Sequence, residues 1–316
     1  MKGKKKKNPR NRKVKTEKKE NSIVPTSLNK EVQLKGLFEQ SKLVIVGNSV
    51  IGKGHIREGL PCQDNFDFCS LDEFWSIAIV SDGAGSRKYS DIGSKIATEV
   101  AIDVVKEQAN NLPWFRERHL PSQTNWRKLA IQILEEVLFN MKQKAVADGI
   151  QLRDYGCTII LTIFCKEGIL VANIGDGRGA YLPENGNWSA LFKPFKGEEA
   201  NQTTFITDKY TWDNRDNAIG TNVIIGPIKS LAIMTDGCEN ACFLLNQWDE
   251  QKGYNTKLNE PYPQFFNPLV ETISSSYNNG VDFDTISSSW LSFLRSGTPA
   301  LENEIDDKSM ILAVYC

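Results

Sequence analysis

Ser76-Ile77-Ala78-Ile79-Val80-Ser81-Asp82-Gly83-Ala84-Gly85-Ser86 is an apolar, β-branched run that stops at an acid followed by glycines. Such a run reads as a buried strand, so Asp82 is carried to the edge of the core on a rigid support, with glycines allowing a tight turn behind it. The pattern recurs. Leu231-Ala232-Ile233-Met234-Thr235-Asp236-Gly237 repeats it, and Leu170-Val171-Ala172-Asn173-Ile174-Gly175-Asp176-Gly177 is a third version. A strand end that holds an acid rigidly is a good place to hold a metal, and three of them call for one explanation.

Around these strands the chain alternates in blocks. Leu43 to Gly47 reads as a first strand, followed by a glycine-rich loop with His55 and Arg57 and by Gly59-Leu60-Pro61-Cys62-Gln63-Asp64, which brings in another acid. Ile92, Ile96, Val100 and Val104 recur every fourth residue, predicting a helix over about 90–111. A second helix runs to about Asp148, capped by Thr124 or Asn125, with Pro113 to Ser122 as a loop between the two. The centre is strand-rich, from Cys157 to Phe164, Ile169 to Ile174, Gly179 to Leu182, Val223 to Ile225 and Leu231 to Met234. Helical stretches near 265–276 and 285–295 precede a closing strand, Met310 to Tyr315, with Asp306 and Asp307 just before it. Strands, a helix pair, more strands, another helix pair and a last strand predict an α+β sandwich rather than an alternating parallel sheet. The connection from about Phe195 to Asn222 is long for a loop and reads as a flap beside a cleft, with Lys196 and Arg215 among its charges.

With 316 residues, 40% of them hydrophobic, the chain can bury a large single core. Its net charge of −1 hides an asymmetry: residues 1–20 carry eleven Lys/Arg and two Glu, leaving 27 basic against 37 acidic residues in the rest. The basic segment, to about Asn29, has almost no apolar residues and reads as a disordered tail that could meet an acidic partner or polyanion; the folded domain is expected over 42–316. The acidic body argues against broad nucleic-acid binding and suits a site that gathers cations. No apolar segment of leader or membrane-span type follows the tail, so a cytoplasmic protein is expected. Seven cysteines without a Cys-x-x-Cys spacing, and only two histidines, exclude a zinc site of the usual kind and leave the thiols as reduced core residues. The tryptophans do not alternate with basic residues, so they read as packing rather than as a stacking platform for single strands.

If Asp64, Asp82, Asp176, Asp236 and Asp306 converge, each close pair repels by about 4 kcal/mol at about 4 Å for an effective dielectric near 20, so they cannot all remain ionised without a cation. Hard oxygen ligands select Mg²⁺ or Mn²⁺, and a cluster this large supports two ions that can lower the pKa of a shared water and neutralise charge on a phosphoryl group.

Read in order, Gln63-Asp64, Asp82-Gly83-Ala84-Gly85-Ser86, Gly175-Asp176-Gly177-Arg178, Thr235-Asp236-Gly237 and Asp306-Asp307-Lys308-Ser309 resemble the metal-dependent type 2C serine/threonine protein phosphatases, most closely their compact bacterial branch. Gly54-His55 and Gly197 to Phe205 add local likeness, and the resemblance covers Lys42 to Cys316. It implies an αββα fold: a central β-sandwich of two mostly antiparallel sheets flanked by helix pairs. It also implies a binuclear Mg²⁺ or Mn²⁺ centre in a cleft at one end. By motif, Asp82 bridges both ions, the Gly83 carbonyl binds one, Asp236 and Asp306 complete the other, Asp64 acts through water, and Asp176 helps hold a looser third ion. Asp307 stands where many relatives have Asn and ranks just behind Asp306 as a ligand.

The chain departs from the family at several points. Ala84 replaces a histidine and leaves His55 as candidate general acid; Gly59 replaces a phosphate-gripping arginine, for which Arg57 or Arg87 could substitute; Gly177 replaces a serine, while Arg178 would support the Asp176 loop. The implied function is hydrolysis of phosphoserine or phosphothreonine in a protein, with a kinase or a kinase target as the expected partner. The rival readings are a small-metabolite phosphomonoesterase and a catalytically silent phosphate-recognising or scaffold module.

Overall fold

The computed structural model describes residues 42–195, 203–250 and 253–316. The basic tail, Lys196 and the Gly197–Gln202 motif lie outside these residues.

The strands are β1 (Leu43–Val50), β2 (Asn65–Ser70), β3 (Ser76–Ser81), β4 (Ile159–Cys165), β5 (Gly168–Ile174), β6 (Arg178–Pro183) and β7 (Ser189–Ala190). They continue as β8 (Gly220–Ile225), β9 (Ile228–Met234), β10 (Phe243–Asp249), β11 (Tyr254–Pro261) and β12 (Lys308–Tyr315). One sheet has the order β1-β12-β9-β6-β7 and the other β2-β3-β4-β5-β8, while β10 and β11 form a separate hairpin. Every recorded pairing is antiparallel, with Leu43 opposite Tyr315, Met310 opposite Met234 and Asn65 opposite Ser81.

Strand alternation sorts the apolar residues into layers, because successive side chains point to opposite faces. In β3, Ala78 and Val80 join Leu43, Ile45, Ile160 and Ile311 between the two sheets. Ile77 and Ile79 instead face the cluster made with α2 (Ser90–Ala109) and the long helix that follows. Val44 and Val46 of β1 and Met310, Leu312 and Val314 of β12 face Phe265, Phe266, Trp290 and Leu294 of the second helix pair. The result is the expected four-layer αββα sandwich, with both sheets apolar on both faces.

Local details depart from the sequence reading for identifiable reasons. The segment expected as a glycine-rich loop is a helix, α1 (Lys53–Glu58), which carries His55 and Arg57. Its glycines serve close approach: a Cβ at Gly52 would lie 2.3 Å from the Asp306 carbonyl carbon and one at Gly54 2.8 Å from the Ile305 oxygen. The stretch expected to be loop before Ser122 contains the turn α3 (Pro113–Arg116), where Trp114 and Phe115 pack on Trp75 with ring centroids 5.5 and 5.7 Å away. The following helix, α4 (Gln123–Asp148), is capped by Ser122, whose Oγ accepts from the Asn125 N–H at 3.3 Å; Thr124 and Asn125 already lie inside it. In the flap, residues 203–222 include α5 (Lys209–Asp213) and α6 (Arg215–Ala218), anchored by buried Ile206 and by Trp212 Nε1 donating to the Ile206 carbonyl at 2.7 Å. After α7 (Glu239–Cys242) the β10–β11 hairpin appears where the sequence showed no clear period, and α8 (Pro263–Asn278) and α9 (Phe283–Ser296) complete the second helix pair. All seven cysteines are free, five of them buried.

Candidate metal centre

Topology explains why acids so far apart in sequence can meet. In a sheet of antiparallel neighbours, alternate strands run the same way, so the C-terminal ends of β3 and β5 share one edge with the N-terminal end of β2. In the facing sheet the C-terminal end of β9 lies beside the N-terminal end of β12. Asp64, Asp82, Asp176, Asp236 and Asp306 each sit within two residues of one of these ends. The carboxylates of Asp82, Asp176 and Asp236 converge so closely that one oxygen from each lies within 4.8 Å of the others.

The supports around each acid are firm. Asp82 is held through its backbone: its N–H donates to Thr158 Oγ1 at 3.0 Å and its carbonyl accepts from the Thr158 N–H at 2.8 Å. Gly83 pairs with Cys157 and is packed so tightly that a Cβ would lie 2.5 Å from the Gln63 oxygen. Gly175, at φ 107, turns the chain into Asp176. At Gly177 a Cβ would come within 2.8 Å of both the Met234 oxygen and Ile160, so a side chain there would force its surroundings to shift. Asp64 is buried, with its Oδ2 accepting from Thr235 Oγ1 at 2.7 Å.

Burial is the leading cause raising the carboxyls of Asp64, Asp82, Asp236 and Asp306 above the ordinary aspartate range. Repulsion comes next: Asp64, Asp306 and Asp176 act on Asp82, and Asp82, Asp176 and Asp306 act on Asp236. Acids held together at this cost fit a hard divalent cation, because oxygen donors converge and positive charge removes the repulsion.

Asp306 and Asp307 have different surroundings. Asp306 lines the cleft, whereas Asp307 is buried beneath it. Asp307 Oδ1 accepts the Gly52 N–H at 2.7 Å, and its Oδ2 accepts the Gln63 N–H at 2.5 Å and lies 2.9 Å from His55 Nδ1.

The cleft has a volume of about 420 Å³ and is lined by Asp82, Gly83, Asp176, Asp236 and Asp306, with His55 and Glu58 from α1, Ser86, and Thr203 and Phe205 from the flap. Among the described residues no lysine or arginine lines it. Arg57 is exposed on α1, outside this lining, and Arg87 lies with its Nε buried and its stem against Gly156. Arg178 does not face the cleft. Its Nε and Nη2 donate to Glu239 Oε2 at 2.9 and 2.7 Å, and Nη1 donates to Asn259 Oδ1 at 2.7 Å, tying the strand after Asp176 to the helix after Asp236 and to the β10–β11 hairpin. Thr158, Thr235 and Glu239 were not singled out in the sequence. Only Thr235 carried a visible signal, its place directly before Asp236-Gly237.

The acidic strand ends and the αββα layers together define a metal-dependent phosphatase scaffold. The family model for protein phosphatase 2C matches residues 51–282, and the chain belongs to that family. It is 27% identical over 279 residues to serine/threonine-protein phosphatase 3 of Escherichia coli (strain K12), covering 86% of this chain and 98% of that protein. Serine/threonine phosphatase stp of Listeria welshimeri is 27% identical over 123 residues, 39% of this chain and 45% of that protein. Among solved structures, serine/threonine phosphatase Stp1 from Staphylococcus aureus superposes with a TM-score of 0.50 at 14% identity, covering 86% of this chain and 94% of that one, which shows the shared fold. The chain is thus a protein phosphatase of a metal-dependent family, and the relatives it matches are named serine/threonine phosphatases. Among the described residues no helix is long and apolar enough to cross a membrane.

Proposed function

We propose that the cleft hydrolyses phosphoserine and phosphothreonine esters using two Mg²⁺ or Mn²⁺ ions, with a looser third site. Asp82, the Gly83 carbonyl, Asp236 and Asp306 would hold the pair, Asp64 would act through water, and Asp176 would serve the third ion. When bound, the ions supply a water of lowered pKa as nucleophile and positive charge toward the phosphoryl oxygens. The convergence of three carboxylate oxygens within 4.8 Å, at the base of the cleft, carries this reading.

The chain's own residues supply the rest. Water oxygen bonds to phosphorus as the bond to the seryl or threonyl oxygen breaks. His55, in the lining, would give that oxygen a proton, and the proton lost by the water would return through solvent to the imidazole. Arg57, placed outside the lining, has no part in this scheme. Thr203 and Phe205 bring the flap to the cleft, where it can contact residues flanking the phosphate. A cytoplasmic kinase or kinase target is the partner proposed.

The test is phosphate release from a phosphothreonine peptide in Mn²⁺, Mg²⁺ or EDTA, with wild type and Asp82→Asn compared. Release that requires metal and is lost in the variant supports the reading. Metal binding without release from peptide would overturn it in favour of a silent module or a small-metabolite enzyme.

A further inference from the structure

Asp307 is built to receive hydrogen bonds. It is 2% exposed, and its contacts come from the Gly52 and Gln63 N–H groups and from His55 Nδ1. Its own N–H donates to Asp306 Oδ1 at 2.8 Å, so the two neighbouring acids are locked in different directions, one toward the cleft and one beneath α1.

The His55 ring bridges these environments. It lines the cleft, its side chain is 14% exposed, and Nδ1 lies 2.9 Å from Asp307 Oδ2, off the line of a well-aligned hydrogen bond. Catalytic hydrogen bonds are often poorly aligned before substrate arrives. A carboxylate can only accept, so it selects the form of the ring that carries hydrogen on Nδ1 and leaves Nε2 as the nitrogen that can serve the cleft. The backbone anchors hold that carboxylate in place without the imidazole, as a fixed support should be held.

We infer that Asp307 is a positioning residue for His55: a His55–Asp307 dyad presents Nε2 to the departing seryl or threonyl oxygen, and Asp307 holds no metal. The dyad joins α1, which contributes none of the five strand-end aspartates, to the residue just before β12. It gives the cleft a proton donor from a different element. In the step it serves, the Nε2–H bond breaks, the proton passes to the oxygen leaving phosphorus, and the hydrogen on Nδ1 stays on the ring, directed at Asp307. This inference rests on the phosphatase reading for its chemistry, but its geometry can be tested without turnover.

The experiment combines spectroscopy with kinetics on the full chain. Only two histidines, His55 and His119, are present, so ¹⁵N-histidine NMR resolves both, with a His55→Gln sample assigning them. In metal-free wild type, at a pH where the ring is neutral, His55 should show hydrogen on Nδ1. Asp307→Asn, which can turn its amide N–H toward the ring, should shift hydrogen to Nε2. On a phosphothreonine peptide, Asp307→Asn and His55→Gln should each lower kcat by about 10²-fold, the low end for a lost general acid, with the double variant no worse than the worse single one. With p-nitrophenyl phosphate, whose leaving group needs no proton, the loss should stay below about 3-fold. Mn²⁺ affinity measured by calorimetry should hardly change in Asp307→Asn but fall in Asp306→Asn.

Hydrogen on Nε2 in wild type, or multiplying losses in the double variant, would overturn the dyad. Lost Mn²⁺ affinity in Asp307→Asn would instead make Asp307 a ligand. A wild type with the Nδ1–H form but no phosphatase activity would uphold the dyad's geometry and defeat only the reaction assigned to the cleft.

Discussion

Thr235 Oγ1 donates to Asp64 Oδ2 at 2.7 Å and accepts the Ser309 N–H at 2.9 Å, so one hydroxyl joins β9, β12 and the acid before β2. All three residues are buried, with Thr235 1% exposed. The two sheets are therefore latched at the end that carries the acids, and Asp64 is aimed by a neighbour of Asp236.

Thr235→Val keeps the shape and removes the latch. The Ser309 N–H and Asp64 Oδ2 each lose a partner in a dry setting, a loss worth about 1–3 kcal/mol per group. Urea unfolding in EDTA should show a stability loss of about 2–6 kcal/mol for the two groups together, and Mn²⁺ affinity should fall. Thr235→Ser, which restores the hydroxyl, should recover most of both; a serine variant as damaged as the valine one would show that packing of the methyl is what matters.

Metal-free protein should lose stability as pH rises. The folded-state pKa values of Asp64, Asp82, Asp236 and Asp306 lie above the ordinary aspartate value of 3.8, by burial first and mutual repulsion second. Between 3.8 and each raised value the unfolded chain gives up its proton while the folded group keeps it. Deprotonation thus favours unfolding, and the contribution of each acid falls by about 1.4 kcal/mol for every pH unit climbed within that window. Adding Mg²⁺ or Mn²⁺ should reverse the trend, because cations bind the ionised form. Thermal melts from about pH 5 to 8, with EDTA or metal, test the sign; a metal-free Tm that rises across the range more steeply than the metal-loaded one would refute it.

Asp82→Asn should separate function from stability. Asn keeps the size but removes one charge from a cluster in which Asp64, Asp306 and Asp176 repel it. In EDTA the variant should melt at or above wild type, because a repelled charge is gone. In Mn²⁺ it should lose most of the metal-induced rise in Tm, and peptide hydrolysis should fall by at least about 10²-fold. A variant that is less stable in EDTA would mean that this carboxylate supports the fold rather than straining it.

The strands that set the architecture were legible because their signal is local. Ile77 to Val80 and Leu231 to Met234 are continuous apolar runs ending in an acid, and in a sheet covered on both faces such runs are strands. The acids could be marked for the same reason, each standing at the end of its run. Pairings across the fold left no such trace. Nothing near His55 announces Asp307, 252 positions later in the numbering, and Arg178 gives no sign in sequence that its partner is Glu239. The β10–β11 hairpin also escaped: Phe243 to Asp249 mixes apolar and polar residues without a clean period, and its pairing slips between Leu244 and Asn246.

The glycines after the acids have the expected place but a different reason for being there. They read as turn formers, yet neither Gly83 nor Gly237 has a positive φ. Gly237 is needed because a Cβ there would lie 2.0 Å from the Asp307 carbonyl oxygen, on the backbone that β12 brings across. That atom cannot move without shifting Asp306 and the Asp307–His55 contact. Gly237→Ala should therefore cost about 3 kcal/mol, the upper end for overpacking, and lower metal affinity and peptide turnover together. Gly59→Ala is the contrasting case, since Gly59 ends α1 at φ 68 and an added Cβ would meet nothing within 4 Å. Its cost should be only the left-handed strain, about 1 kcal/mol, with metal affinity unchanged. Urea unfolding and Mn²⁺ calorimetry on both variants compare the two origins directly: equal losses would mean that backbone conformation, rather than the crossing of β12 over the Asp236 turn, is what these glycines provide.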